Sequence, residues 1–317
     1  MVLPNLVIAG APKSGTSSLF RWLCDHPEVL GSSVKETRYF ADPGTHVFDE
    51  GRNYLSRGLE GYSEFFKAKG PEPGLVVEAT PTYLYSELAL RELPLIPSKP
   101  HFQFVLRDPV SQVRSVHRYF QQNWAWVPPD MDFRSFVAAS RAGNARFDGN
   151  ELAEGVMQNA AYVDFLVRWR DACKPQRMHV FLFEDVFADP RAFMRELARR
   201  FGIEPTFYDD YPFPAENQTY TVRNRLLQKL NIAVRPMIPQ GALYRAARSV
   251  YRLLNTSRED ERNRGNAAVE EELREGFRLK NEALAREFDL DLTPWGLPRG
   301  GNRGRRAGTL DLAHVNR

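Results

Sequence analysis

Residues 6–19 limit the fold more than any other stretch of this chain. Leu6-Val7-Ile8-Ala9 is a short apolar run, and Gly10-Ala11-Pro12-Lys13-Ser14-Gly15-Thr16-Ser17-Ser18-Leu19 follows at once. A brief apolar run that ends in turn residues reads as a buried strand entering a tight loop. From Thr16 onward, Leu19, Phe20, Trp22 and Leu23 recur at helical spacing, and His26-Pro27 ends the helix. A strand, a small-residue loop and a helix in this order aim backbone N–H groups and a helix N-terminus at one point, which suits an anion. Thr16, Ser17 and Ser18 add hydroxyl donors. The other reading is an ordinary strand-to-helix turn that ends in good capping residues. Lys13 has no task in such a turn.

The rest of the chain repeats the pattern. Residues 75–78, 102–106 and 179–183 read as further strands, and 110–120, 162–169 and 190–201 as helices, the last with Pro190 in its first turn. Strands alternating with helices predict an α/β fold: a single domain over 1–297 with a central, mostly parallel sheet flanked by helices. Ligands bind such sheets beyond the carboxyl ends of the strands. Segments 41–74, 121–155 and 205–265 are longer connections, expected to wall a cleft. Trp124, Trp126, Phe133 and Pro128-Pro129 either line that cleft or pack their connection onto the core. The Gly/Arg-rich tail, 298–317, is expected to be disordered.

Composition narrows the class. With 317 residues, 43% hydrophobic and 26% charged, the chain has the make-up of a globular protein. A net charge of +3 does not call for nucleic acid or an anionic membrane. Two cysteines, Cys24 and Cys173, are too few for a disulfide framework, which fits a reducing compartment. The N-terminus has no basic segment ahead of its apolar run, and no stretch approaches the roughly 20 apolar residues of a membrane span. A cytoplasmic protein is expected.

The loop departs from the nucleoside-triphosphatase pattern. That pattern, Gly-x4-Gly-Lys-Ser/Thr, has its lysine after the second glycine. Here Thr16 follows Gly15, and Lys13 stands two residues before it. No second acidic ligand for magnesium follows an apolar strand at the expected place, since Asp108 belongs to another motif. Sulfuryl transfer needs less charge neutralisation than phosphoryl transfer, so a lysine without metal suits it. A second anion site is suggested by Leu106-Arg107-Asp108-Pro109, after the strand at 102–106, with Ser115 on the helix that follows. Arg107 offers a planar donor fork to a phosphate, or else pairs with Asp108 or a neighbouring Glu. Glu36, in Lys35-Glu36-Thr37-Arg38-Tyr39-Phe40, is either a base for an acceptor proton or a surface charge beside Lys35.

Pro12-Lys13-Ser14-Gly15-Thr16-Ser17-Ser18-Leu19 resembles the 5′-phosphosulfate loop of the sulfotransferases that use 3′-phosphoadenosine 5′-phosphosulfate (PAPS). Arg107 with Ser115 eight residues on resembles their 3′-phosphate motif. Lys35-Glu36-x-x-x-Phe40 is similar to the base segment of the heparan-type and many bacterial members. The resemblance runs from about Leu6 to Trp295 and implies a P-loop-like architecture. It implies that Lys13, Ser14, Gly15, Thr16, Ser17 and Ser18 hold the donor's 5′ end, with Lys13 stabilising the departing phosphate oxygen. By the same resemblance Arg107 and Ser115 hold the 3′-phosphate, Arg223 in Asn217–Arg225 contacts the donor or begins a basic surface helix, and Glu36 is the general base. His117 is the alternative base, because cytosolic members use histidine. Two departures stand out: Arg38 where relatives often carry His, and Ala79 in Glu78-Ala79-Thr80-Pro81 where glycosaminoglycan enzymes carry Lys.

The implied activity is transfer of a sulfuryl group to a hydroxyl, less readily an amine, leaving 3′,5′-ADP and needing no metal. A bacterial natural product of secondary metabolism, a polysaccharide or a carrier-tethered acyl chain fits as acceptor, and a carrier protein or a second copy of the chain as partner. A metal-dependent small-molecule kinase and a non-catalytic nucleotide-binding module are the alternative functions.

Overall fold

The computed structural model describes residues 1–67, 73–143, 146–216, 221–222, 256–257 and 266–298. Five strands, β1 (Leu6–Gly10), β2 (Val29–Gly31), β3 (Leu75–Ala79), β4 (His101–Leu106) and β5 (Met178–Leu182), form one sheet in the order β2-β3-β1-β4-β5. Every neighbouring pair in it is parallel. Between and after them, in chain order, run α1 (Thr16–Cys24), α2 (Tyr54–Ser63), α3 (Glu87–Glu92), α4 (Pro109–Tyr119), α5 (Phe133–Arg141), α6 (Glu151–Glu154), α7 (Val156–Asn159), α8 (Tyr162–Ala172), α9 (Phe183–Ala188), α10 (Pro190–Phe201) and α11 (Ala267–Phe288).

The expected strands are all present, within a residue or two of their sequence bounds. One boundary moved for a clear reason: Phe183 is not the last residue of β5 but the first of α9. Its apolar side chain continues the strand pattern although its backbone has already turned. Strand β2 was not expected, because three residues are too few to show a period. The connections at 41–74 and 121–155 also hold helices, α2, α5 and α6.

The described residues pack as two compact units. The first holds those of 1–112, 159–216 and 277–298; the second holds those of 113–158, 221–222, 256–257 and 266–276. The whole five-stranded sheet is in the first. Strands β1, β3 and β4 are buried on both faces, so successive side chains feed two cores. Leu6, Ile8, Leu75, Val77, Val105 and Phe181 pack with Leu19, Trp22 and Leu23 of α1 and with Phe193, Met194 and Leu197 of α10. Val7, Ala9, Val76, Phe102, Phe104 and Leu106 pack on the other face with Tyr162, Leu166 and Trp169 of α8 and with Leu284, Leu292 and Trp295. Fully burying one such side chain stabilises the fold by roughly 1.5–3 kcal/mol. Helix α10 has Pro190 in its first turn, as the sequence predicts; the structure adds that Asp189 caps the Ala192 N–H and that Gly202 ends the helix in the left-handed region at φ 70°.

In the second unit, His117, Phe133, Phe136 and Phe147 form an aromatic cluster. Among the described residues no helix is long and apolar enough to cross a membrane. The tail beyond residue 298 lies outside the described residues, as does Arg223.

Candidate active site

A parallel sheet gathers the ends of its strands on one rim, so segments far apart in sequence meet there. The loop 11–15 leaves the end of β1, and Arg107 follows the end of β4, its neighbour. The Arg107 guanidinium donates to the Lys13 carbonyl at 3.4 Å and lies over the Phe183 ring at 4.7 Å. Tyr162 Oη holds the Arg107 carbonyl at 3.0 Å. Two motifs separated by 94 positions in sequence are thus joined by a direct contact.

The loop has the geometry that suits an anion. Gly15 caps α1 with φ 78° and no side-chain cap bond, so no capping side chain occupies the helix's first N–H groups. Only glycine fits there: a Cβ would lie 2.4 Å from the Phe187 ring, in a backbone region unfavourable to L side chains. Ser14 is fully buried, and its hydroxyl has no hydrogen-bond partner among the described residues. An orphaned buried hydroxyl costs free energy unless a ligand supplies the missing partner. Thr16 and Ser18 are also buried, and Ser18 Oγ accepts from the Glu216 N–H at 2.9 Å. Ser17 is half-buried at the same turn.

Lys13 has its ammonium brought down to about 7. Desolvation is the main cause, and the nearby charges of Lys35 and Arg107 add to it, while Glu36 acts in the opposite sense. Lys13 therefore feels both Glu36 and Arg107. Glu36 itself accepts from Lys35 Nζ at 2.9 Å and from Arg38 at 3.3 Å. Burial would raise its carboxyl, but the two cations outweigh burial and hold it below the ordinary range. The sequence offered Lys35 only as a neighbour. The structure makes it a third cation beside Lys13 and Arg107.

Two supporting residues were not among the site residues expected from the sequence. Gln112, on α4, donates to the Pro12 carbonyl at 3.2 Å and so holds the loop's backbone. Glu184 accepts from the Asp108 N–H at 3.3 Å and from the Trp295 indole at 3.0 Å, which ties the end of β4 to the C-terminal segment. Asp108 accepts from the Ser111 N–H and hydroxyl at 3.0 and 2.7 Å, and so serves as a helix cap. Ser115 is buried in the second unit, on α4. His117 belongs to the second unit too; its Nε2 bonds the Met131 carbonyl at 3.0 Å, and burial lowers its affinity for a proton. That is a histidine already satisfied by its own fold. Among the described residues no group of three or more His, Cys, Asp or Glu is arranged to hold a metal ion.

The fold defines the class: an α/β protein with a strand-to-helix loop at the rim of a parallel sheet. No family model matches the chain. Over 214 residues it is 24% identical to human bifunctional heparan sulfate N-deacetylase/N-sulfotransferase 3, a match covering 65% of this chain and 23% of that protein. Over 127 residues it is 31% identical to the membrane-associated sulfotransferase kil1 of Dictyostelium discoideum, covering 39% of this chain and 24% of that one. The chain therefore spans about a quarter of the length of these relatives. A sulfotransferase from Alicyclobacillus acidocaldarius shares its fold, with a TM-score of 0.56 at 22% identity, over 80% of this chain and all of that one. The chain is thus similar in sequence to sulfotransferases and shares the fold of one.

Proposed function

We propose that this protein transfers the sulfuryl group of PAPS to an acceptor hydroxyl. The observation that carries the reading is the loop 13–18: a buried Ser14 hydroxyl lacking a partner among the described residues, an uncapped helix start, and a lysine whose charge is destabilised by its surroundings. All three are relieved by one bound phosphate. Arg107, in contact with that loop, is the second cation that a donor charged at both ends calls for. Ser115 enters this reading through its sequence spacing from Arg107.

The donor supplies an activated S–O bond. In the proposed step the acceptor oxygen bonds to sulfur as the bond from sulfur to the bridging phosphate oxygen breaks. The acceptor proton passes to Glu36, and the negative charge departs on 3′,5′-ADP. Lys13 stabilises that charge in a partly desolvated site, where a fixed ammonium acts most strongly. Donor binding remote from sulfur, through Arg107, orients the reacting atoms. A hydroxyl-bearing small molecule, natural product or carbohydrate is the proposed acceptor class; heparan sulfate appears in the relatives' names, and Ala79 at the lysine position argues for a different acceptor here.

The test is incubation of the chain with PAPS and extracts of its native host, with mass spectrometry searching for products heavier by one SO₃. The expected result is a donor-dependent product, and Lys13→Ala should lower kcat by about 10², the scale of losing one preorganised donor group. Equal turnover by that variant would remove Lys13 from the mechanism. Label transferred from ATP, and lost on adding a chelator, would replace the reading with a kinase.

A further inference from the structure

Glu78 is the next-to-last residue of β3, paired in register with Val7 of β1, and is wholly buried. A carboxylate there needs strong partners. Its Oε1 accepts from the Thr37 hydroxyl at 3.0 Å and from the Thr80 hydroxyl at 2.5 Å. Those two hydroxyls, with that of Tyr83, receive three consecutive backbone N–H groups. Arg38 N–H donates to Thr80 Oγ1 at 3.2 Å, Tyr39 N–H to Thr37 Oγ1 at 3.4 Å, and Phe40 N–H to Tyr83 Oη at 3.3 Å. Thr37 and Tyr83 are themselves 3.0 Å apart.

The directions of these bonds follow from what each group can do. A hydroxyl has one proton to give and two lone pairs to offer. Oε1 of Glu78 accepts from both threonines, so both spend their single proton on it and turn their lone pairs to the backbone. Tyr83 then has its proton free for Thr37. Every hydroxyl proton in the cluster runs toward one carboxylate, and every N–H from 38 to 40 runs toward a hydroxyl. Arg38 needs such an anchor, because its backbone sits in the left-handed region at φ 55°.

We infer that Glu78 is a positioning residue that fixes the 36–40 turn through Thr37 and Thr80 and so aims Glu36 at the donor rim. Its catalytic consequence rests on Glu36 being the base. Burial also raises the Glu78 carboxyl to about 7, against the opposing effect of its hydrogen bonds from Thr80 and Thr37. Protonation would leave Oε1 an acceptor, so the directions hold in either state.

The test is amide hydrogen exchange, site by site, in Glu78→Leu, Glu78→Gln and Thr37→Val; the last variant changes a half-buried site and guards against misfolding of the first. Loss of the acceptor should speed exchange at Arg38, Tyr39 and Phe40 by about tenfold or more in Glu78→Leu and Thr37→Val, with β1 and β4 still protected. Glu78→Gln keeps an accepting oxygen and should preserve the protection. Where transfer is measured, Glu78→Leu should lower kcat with the KM for PAPS unchanged. Unaltered exchange at 38–40 in both disrupting variants, or equal acceleration in the strands, would overturn the proposal. The exchange result decides the anchoring whether or not the wild-type chain transfers sulfuryl, so failure of the Glu36 reading is told apart from failure of the anchor.

Discussion

Arg38 shows how one side chain sets another's chemistry. Its guanidinium and the Lys35 ammonium together hold Glu36 below the usual carboxylate range, which makes Glu36 a weak base. Removing one cation should raise its basicity. Replacing Arg38 with Gln is therefore expected to move the acid limb of the kcat/KM profile to higher pH, because the base then stays protonated further up the scale. A limb that stays put would separate Glu36 from the observed ionisation. Lys13 gives a prediction of opposite sense. Its ammonium, brought down to about 7, begins to lose its proton near neutrality. Affinity for 3′,5′-ADP should weaken as pH rises from 6.5 to 8.5, and this loss should vanish in Lys13→Met. Titration calorimetry at the two ends of that range checks both. Contiguous chemistry of this kind was legible in the sequence: loop, lysine and hydroxyls lie within nine positions. Glu78 was not, because the turn it holds through Thr37 lies 41 residues away along the chain and meets it only after β3 and the 36–40 turn are in place.

At the scale of the elements, β4 and β5 carry a paired liability at the sheet edge opposite the loops. His101 Nδ1 and His179 Nε2 lie 2.9 Å apart, with the Phe201 ring against both. Burial is the main cause that lowers both imidazoles, His179 far more, and the charge of Arg200 adds to each. The folded chain therefore binds fewer protons than the unfolded one below about pH 6.5, where a free imidazole charges. Stability is complete above that value and declines as pH falls, by up to about 1.4 kcal/mol per unit for each proton excluded. Urea midpoints measured from pH 7 to pH 5 should fall in the wild type and flatten in His179→Leu. Identical slopes would mean the pair does not control acid stability. Element boundaries were legible where local chemistry marks them, as in α10 with Pro190. They were misread where only hydrophobicity spoke, as at Phe183, and β2 was too short to speak at all.

At the scale of the sheet, five parallel strands with a core on each face bring the loop 11–15 and Arg107 together at the rim where β1 and β4 end. Alternation of strands and helices in the sequence made that architecture legible. The contact between Arg107 and the loop was not legible, since strand order cannot be read from spacing. The most direct measurement is calorimetric titration of 3′,5′-ADP, 5′-AMP and ATP with magnesium. A site with cations for both ends of the donor should bind 3′,5′-ADP without metal, about tenfold or more tighter than 5′-AMP, the equivalent of one charge-assisted phosphate contact. Equal affinity for 5′-AMP, or binding of ATP with magnesium alone, would contradict it.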